Sequence, residues 1–223
     1  MTLAETFLSI QGEGPRTGRP CFFVRTAGCN LKCPWCDTRW AGAFAGRDVS
    51  TSEIVADCVS AYRGFRAGQM RPLVCVTGGE PTLQRDLFEL LALLVESGFD
   101  VDLMTNGTAV LDLVPRQVMI LVDIKLHALA SGWRPPFMDV TGWTRPGAGD
   151  AVKFVIANRA EFDFAAEWAN GQGLFERVGN VFVSPAWGIV APPELAAWIL
   201  RSEPRFRLGL QTHKYIWGAD TRM

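Results

Sequence analysis

The sequence lacks any surplus of charge: 22 Lys and Arg stand against 23 Asp and Glu, a net charge of −1 over 223 residues. Its basic residues are scattered, so the basic footprint of a nucleic-acid or anionic-membrane binder is not expected. It also lacks a long apolar run. The most hydrophobic stretch, Leu87 to Val95, is interrupted by Glu89 and is too short to span a bilayer, so it reads as a buried helix face. The amino terminus carries Glu5 where a secretory signal would be basic and then apolar, and no export is expected. In the cytoplasm that this implies, six cysteines serve as ligands, reactive thiols or small core residues rather than disulfides. Repeats, linkers and low-complexity tracts are missing too. One domain over residues 1–223 is therefore expected, with a small molecule as its partner. At 48% hydrophobic and 20% charged, the chain can close a sizeable core by itself.

What is present is an alternation of apolar, β-rich runs with helical patterns, which predicts an α/β fold with a mostly parallel sheet. Strands are expected at Thr6–Ile10, Cys21–Thr26, Leu73–Thr77, Val101–Thr105, Val118–Ile124, Val152–Ile156, Val181–Val183 and Arg207–Leu210. Ser50 with Glu53 and Asn158 with Glu161 fit capping boxes, and Pro192-Pro193 opens another helix. A helix beginning near Thr82 sets Leu87, Leu90, Leu91 and Leu94 on one face. From His127 to Asp150 the pattern fails in a stretch rich in Gly, Pro and Trp, where a binding loop or lid is expected. Polar or Gly-rich motifs follow the first four strands: Gln11-Gly-Glu-Gly, the cysteine loop, Thr77-Gly-Gly-Glu-Pro and Asn106-Gly. In a parallel α/β barrel the loops beyond the carboxyl ends of the strands converge on one mouth, so the four motifs are expected to share one cavity.

Gly28-Cys29-Asn-Leu-Lys-Cys33-Pro-Trp-Cys36-Asp-Thr38 packs three cysteines into eight residues. A structural zinc loop would need a fourth ligand from Cys21, Cys58, Cys75, His127 or His213, none of which belongs to a second paired motif. Cys58 on a helix, Cys75 inside an apolar strand and Cys21 at a strand's head read as buried thiols. A [4Fe–4S] cubane held by Cys29, Cys33 and Cys36 would instead keep one iron without a protein ligand.

The C-x3-C-x2-C spacing, with Trp35 before the last cysteine, resembles the radical S-adenosylmethionine (SAM) superfamily. Thr77-Gly78-Gly79-Glu80-Pro81 resembles that superfamily's second motif, whose glycines let a ligand approach the backbone. Phe7-Leu-Ser-Ile-Gln-Gly-Glu-Gly14, Phe22 to Leu31, Cys36-Asp-Thr38, Thr77 to Gln84 and Gln211-Thr-His-Lys-Tyr215 resemble the 7-carboxy-7-deazaguanine synthase family. The resemblance implies a modified, partial (β/α) barrel of radical SAM type. It implies conversion of 6-carboxy-5,6,7,8-tetrahydropterin to 7-carboxy-7-deazaguanine with loss of ammonia, on the route to queuosine and tRNA modification. Its cofactors would be a [4Fe–4S] cluster, SAM and Mg2+; its partners, a flavodoxin or ferredoxin and a second copy of the chain.

Residue by residue, the resemblance assigns SAM to Trp35, Cys36, Asp37, Gly79, Asp123, Lys125 and Ser184. Asp123 and Ser184 depart from the Ser and Gln that many relatives carry. It assigns substrate to Ile10, Gln11, Gly12, Glu13, Arg25 and Thr77. Thr38 offers a hard oxygen for magnesium, against the alternative of a turn-capping hydroxyl. Arg25 suits a carboxylated pterin, against an internal ion pair with Glu13 or Glu80. Gln11 and Glu13 could read the pterin's amide and amino edge, and Thr77 could donate to a heteroatom. His213 could orient a loop, contact a ligand or simply pack. Two other readings share parts of the pattern: a radical SAM activase that places a glycyl radical on a partner enzyme, and an interaction protein with a structural zinc loop.

Overall fold

Period-two apolar runs become the strands of one open, nine-stranded sheet in a computed structural model that describes residues 1–43, 45–65, 70–126 and 147–219. The strands are β1 Thr2–Ile10, β2 Pro20–Thr26, β3 Arg47–Asp48, β4 Leu73–Gly78, β5 Asp100–Thr105, β6 Met119–Ile124, β7 Ala151–Ile156, β8 Asn180–Pro185 and β9 Arg207–Leu208. Their order is β3-β1-β2-β4-β5-β6-β7-β8-β9. Every pair from β2 to β9 is parallel, while β1 runs antiparallel to both β2 and β3. The unclosed sheet with a parallel body is the partial barrel that the motifs imply.

Strand direction corrects one expectation. Because β1 is reversed, Gln11-Gly-Glu-Gly leaves it at the end where the parallel strands begin, not where they finish. It still reaches the interior by folding back against the sheet. Gly14 lies over the Leu121 side chain, and Arg19 pairs with Asp100 at the start of β5 (2.9 Å).

The described helices are α1 Thr51–Ala61, α2 Leu87–Glu96, α3 Arg159–Gly171, α4 Leu174–Arg177, α5 Pro192–Ser202 and α6 Thr212–Trp217. Ser50 and Glu53 form the full capping box. Asn158 caps Glu161, but Glu161 reaches back to the amide of Ala157 rather than that of its cap. The helix expected from Thr82 begins only at Leu87. Pro81–Leu83 makes a 3-10 turn first, because Glu80 has turned its carboxylate onto Thr82. The stripe Leu87, Leu90, Leu91 and Leu94 is fully buried, as expected.

The apolar core lies between the helices and one face of the sheet, where Val24, Val76, Leu103, Ile120, Val152 and Val183 alternate inward toward α1, α2, α3 and α5. The apolar residues of the opposite, inner face form only small clusters, Cys21, Phe23, Leu73 and Cys75, and Met119, Leu121, Ala151 and Phe182. Cys21, Cys58 and Cys75 are fully buried thiols and none is disulfide-bonded. The expected loop from 127 to 150 lies outside the described residues except at its end, where Asp150 accepts from the amides of Gly147 and Ile120. No helix among the described residues is long and apolar enough to cross a membrane.

Candidate active site

The neck of the cysteine loop is closed by backbone. Gly28 donates its amide to Ala41, and its carbonyl accepts from Glu80, so the loop and the Thr77-Gly-Gly-Glu-Pro turn continue the pairing of β2 with β4. A Cβ on Gly79 would collide with the Gly28 carbonyl, which is why a side chain is excluded there. Asn30 is tied to Asn106 and Thr108, fastening the loop to the turn after β5. Glu80 accepts from Thr82, from the Thr105 hydroxyl and from the Asn106 amide; burial pushes its carboxyl up despite these bonds. Its role is to hold three loops together.

Cys29, Cys33 and Cys36 stand half-buried on this loop, outside any disulfide. Burial raises the Cys29 thiol, and it pushes Cys33 up to about 11 against the pull of Lys125. Among the described residues, no three His, Cys, Asp or Glu side chains gather where one metal ion could be held. The donor set suits a cluster instead, since a cubane spreads its thiolates over separate corners and wants sulfur ligands. Thr38 places its hydroxyl 3.7 Å from the Cys36 sulfur.

Across from the loop, the inner face carries charge. Lys153 on β7 is 4% exposed and sits in register beside Asp123 on β6. Its ammonium donates to Glu13 and, at 2.7 Å, to Asp123; Lys125 reaches the same Asp123 oxygen at 2.7 Å. Burial opposes all these charges, but the pairing wins: Glu13 and Asp123 are held below the ordinary carboxylate range, and Lys153 above the ordinary amine range. The other oxygen of Asp123, Oδ1, is buried with no hydrogen-bond partner among the described residues. Such an orphan acceptor suits a ligand hydroxyl.

The polar chain continues back to the cysteine loop. Gln211 donates to Glu13 at 2.7 Å and to Asp37 at 3.2 Å, while Lys214 pairs with Asp37 at 3.1 Å. Against burial, Lys214 draws the Asp37 carboxyl down to about 2. Gly12 is a glycine because His213 packs where its Cβ would stand, and its carbonyl accepts from Thr212. Burial lowers the His213 imidazole, which packs here between Gly12 and the charges of Glu13 and Asp37.

The expected residues thus divide. Cys36, Asp37, Glu13, Asp123 and Lys125 belong to, or adjoin, one polar circuit around the space between loop and sheet. Gln11 donates to Asp102 on the same inner face at 3.1 Å, and Asp102 is further held by Arg16 at 2.8 Å. Ile10 ends β1, Ser184 is buried on β8, and Thr77 lies beside Arg25 in register. Arg25 does form an internal ion pair, but with Glu5 at 2.9 Å, not with Glu13 or Glu80. The reason is strand reversal, which sets Glu5 of β1 directly opposite Arg25. Its guanidinium also lies over the rings of Phe7 and Trp40.

Sequence reasoning passed over Lys153, although a lone charge inside Ala151–Ile156 was the available signal.

The Radical SAM superfamily model matches residues 23–132. A 7-carboxy-7-deazaguanine synthase of Koribacter versatilis is 38% identical over 100% of this chain and 99% of its own length. The chain belongs to the 7-carboxy-7-deazaguanine synthase family. One of Methanospirillum hungatei is 34% identical over 97% of this chain and 85% of its own. In fold, the structure of QueE from Escherichia coli superposes with a TM-score of 0.66, covering 94% of this chain and 92% of that one at 22% identity. Neither the glycyl-radical activase nor the zinc-loop interaction protein gains support.

Proposed function

We propose that this chain is a 7-carboxy-7-deazaguanine synthase, a radical SAM lyase that turns 6-carboxy-5,6,7,8-tetrahydropterin into 7-carboxy-7-deazaguanine with loss of ammonia. One observation carries the reading: Gln211 donates to both Asp37, beside the third cysteine, and Glu13, so the cluster loop and a carboxylate suited to a pterin's N–H edge face one space. Cys29, Cys33 and Cys36 would hold a [4Fe–4S] cluster with one iron open to SAM. When bound, cluster and SAM supply the radical that removes and returns a substrate hydrogen atom.

The chain's own residues bind and orient. Trp35, Cys36, Asp37, Gly79, Asp123, Lys125 and Ser184 would surround SAM, the free Asp123 oxygen accepting from a hydroxyl. Ile10, Gln11, Gly12, Glu13, Arg25 and Thr77 would surround the pterin. Arg25 spends its Nε–H on Glu5 and keeps the rest of its donor fork for a substrate carboxylate. Thr38 would offer its hydroxyl to Mg2+, beside the Cys36 corner. An electron donor such as flavodoxin or ferredoxin, a homodimer, a cytoplasmic setting and a place in queuosine biosynthesis for tRNA modification complete the proposal.

The test is anaerobic turnover of the reconstituted protein with SAM, dithionite, Mg2+ and the carboxylated tetrahydropterin. The deazapurine product is expected; reductive cleavage of SAM without it would overturn the assignment.

A further inference from the structure

The charge on β7 asks for a reason. Its chain neighbours Val152 and Phe154 are fully buried on the opposite, helix-covered face, and its own side chain is withdrawn from water on the inner face. A buried ion network is often no more stable than well-packed apolar groups of the same volume, so stability alone does not call for Lys153. Its placement does suggest a task. The ammonium is shared by two carboxylates, one from the Gln11-Gly-Glu-Gly segment and one from β6.

We propose that Lys153 is a positioning residue for substrate, holding the Glu13 carboxylate oriented and anionic so that it can receive the N–H edge of the heterocycle. The inference rests on the reading of Glu13 as a substrate contact. The groups around Glu13 are few. Its own segment supplies Gln11, whose side-chain oxygen accepts from the Glu13 amide; β6 supplies Asp123, β7 Lys153, and the start of α6 Gln211 and His213. Burial and Asp123 favour the protonated acid. Against them stand Lys153, the strongest, and the more weakly acting His213. Burial already lowers the His213 imidazole, which disfavours its cationic form. Without Lys153 nothing of comparable size would keep the acid ionised, and a protonated carboxyl loses acceptor capacity for ligand N–H groups.

The experiment is equilibrium dialysis of 6-carboxy-5,6,7,8-tetrahydropterin against cluster-reconstituted enzyme with SAM and no reductant, from pH 6.5 to 8.5. Wild-type affinity should be flat. Lys153→Met should bind more weakly at the acid end, about tenfold for each unit by which Glu13 then titrates above that pH, and recover as rising pH ionises Glu13. SAM affinity in the same samples should move far less, because Lys125 still holds Asp123. Lys153→Arg should restore the flat profile. The double variant Lys153→Met/Asp123→Asn removes one charge of each sign and should repeat the pH dependence if the single variant does not fold. Unchanged affinity, or a weakening equal at every pH as a purely structural role would give, overturns the inference and leaves the functional reading standing. Wild-type enzyme that binds no carboxypterin overturns both.

Discussion

On the helix-covered face of the sheet, Val24, Val76, Leu103, Ile120, Val152 and Val183 are all fully buried among other hydrocarbons. On the other face the same strands present Arg25, Thr77, Asp102, Asp123, Lys153 and Ser184. One face is held by area removed from water, which needs no particular partner. The other carries charges, Arg25, Asp102, Asp123 and Lys153, that tolerate burial because each is ion-paired, so its geometry is exacting and its stability contribution small. Fold and chemistry are therefore separable along every strand, and substitutions on the two faces should fail differently.

The sharpest contrast is between two cysteines. Cys33→Ala should abolish cluster absorbance and turnover while the chain stays folded; Cys58→Ala, in the apolar core, should cost about 1 kcal/mol of stability and keep the cluster. Cluster loss in the second variant would break the comparison. Next, Leu90→Ala on the α2 stripe should lower unfolding free energy by about 3 kcal/mol in urea, with substrate KM unchanged for the folded fraction. Smaller is Thr38→Ala, expected to depress turnover about 10-fold or more at limiting Mg2+, the scale seen when a metal site's supporting groups are lost, while the cluster spectrum stays intact. Rates equal to wild type would remove the metal assignment.

The smallest effect concerns acid stability on the helix side. Hydrogen bonds from Arg205, opposed by burial and aided by Asn170, bring Glu203 down from 4.5 to about 2. A depressed carboxylate stabilises the fold fully above its unfolded value and loses that contribution as pH falls through the folded one. Glu203→Gln should therefore flatten the fall of the urea midpoint between pH 4.5 and about 2 and leave pH 7 turnover unaltered.

Period two marked the strand faces, the Ser50 and Glu53 pair marked the start of α1, and Pro192-Pro193 the start of α5. Those features are local: a few neighbouring residues settle them. The two-residue strand Arg47–Asp48 was not legible, because it exists only by pairing with Thr2 and Leu3. The late start of α2 was equally hidden, since Glu80 is turned onto Thr82 by contacts with Thr105 and Asn106 on the next strand's turn.

By itself the sequence determined the cysteine spacing, the alternation of faces and the helix caps, since chain geometry over a few residues dictates each. Tertiary structure alone decided that β1 runs backwards, that Arg25 meets Glu5, and that Lys153 finds Glu13 from 140 residues away. Contacts between distant segments depend on which strands lie side by side and in which direction, and no local spacing records that choice.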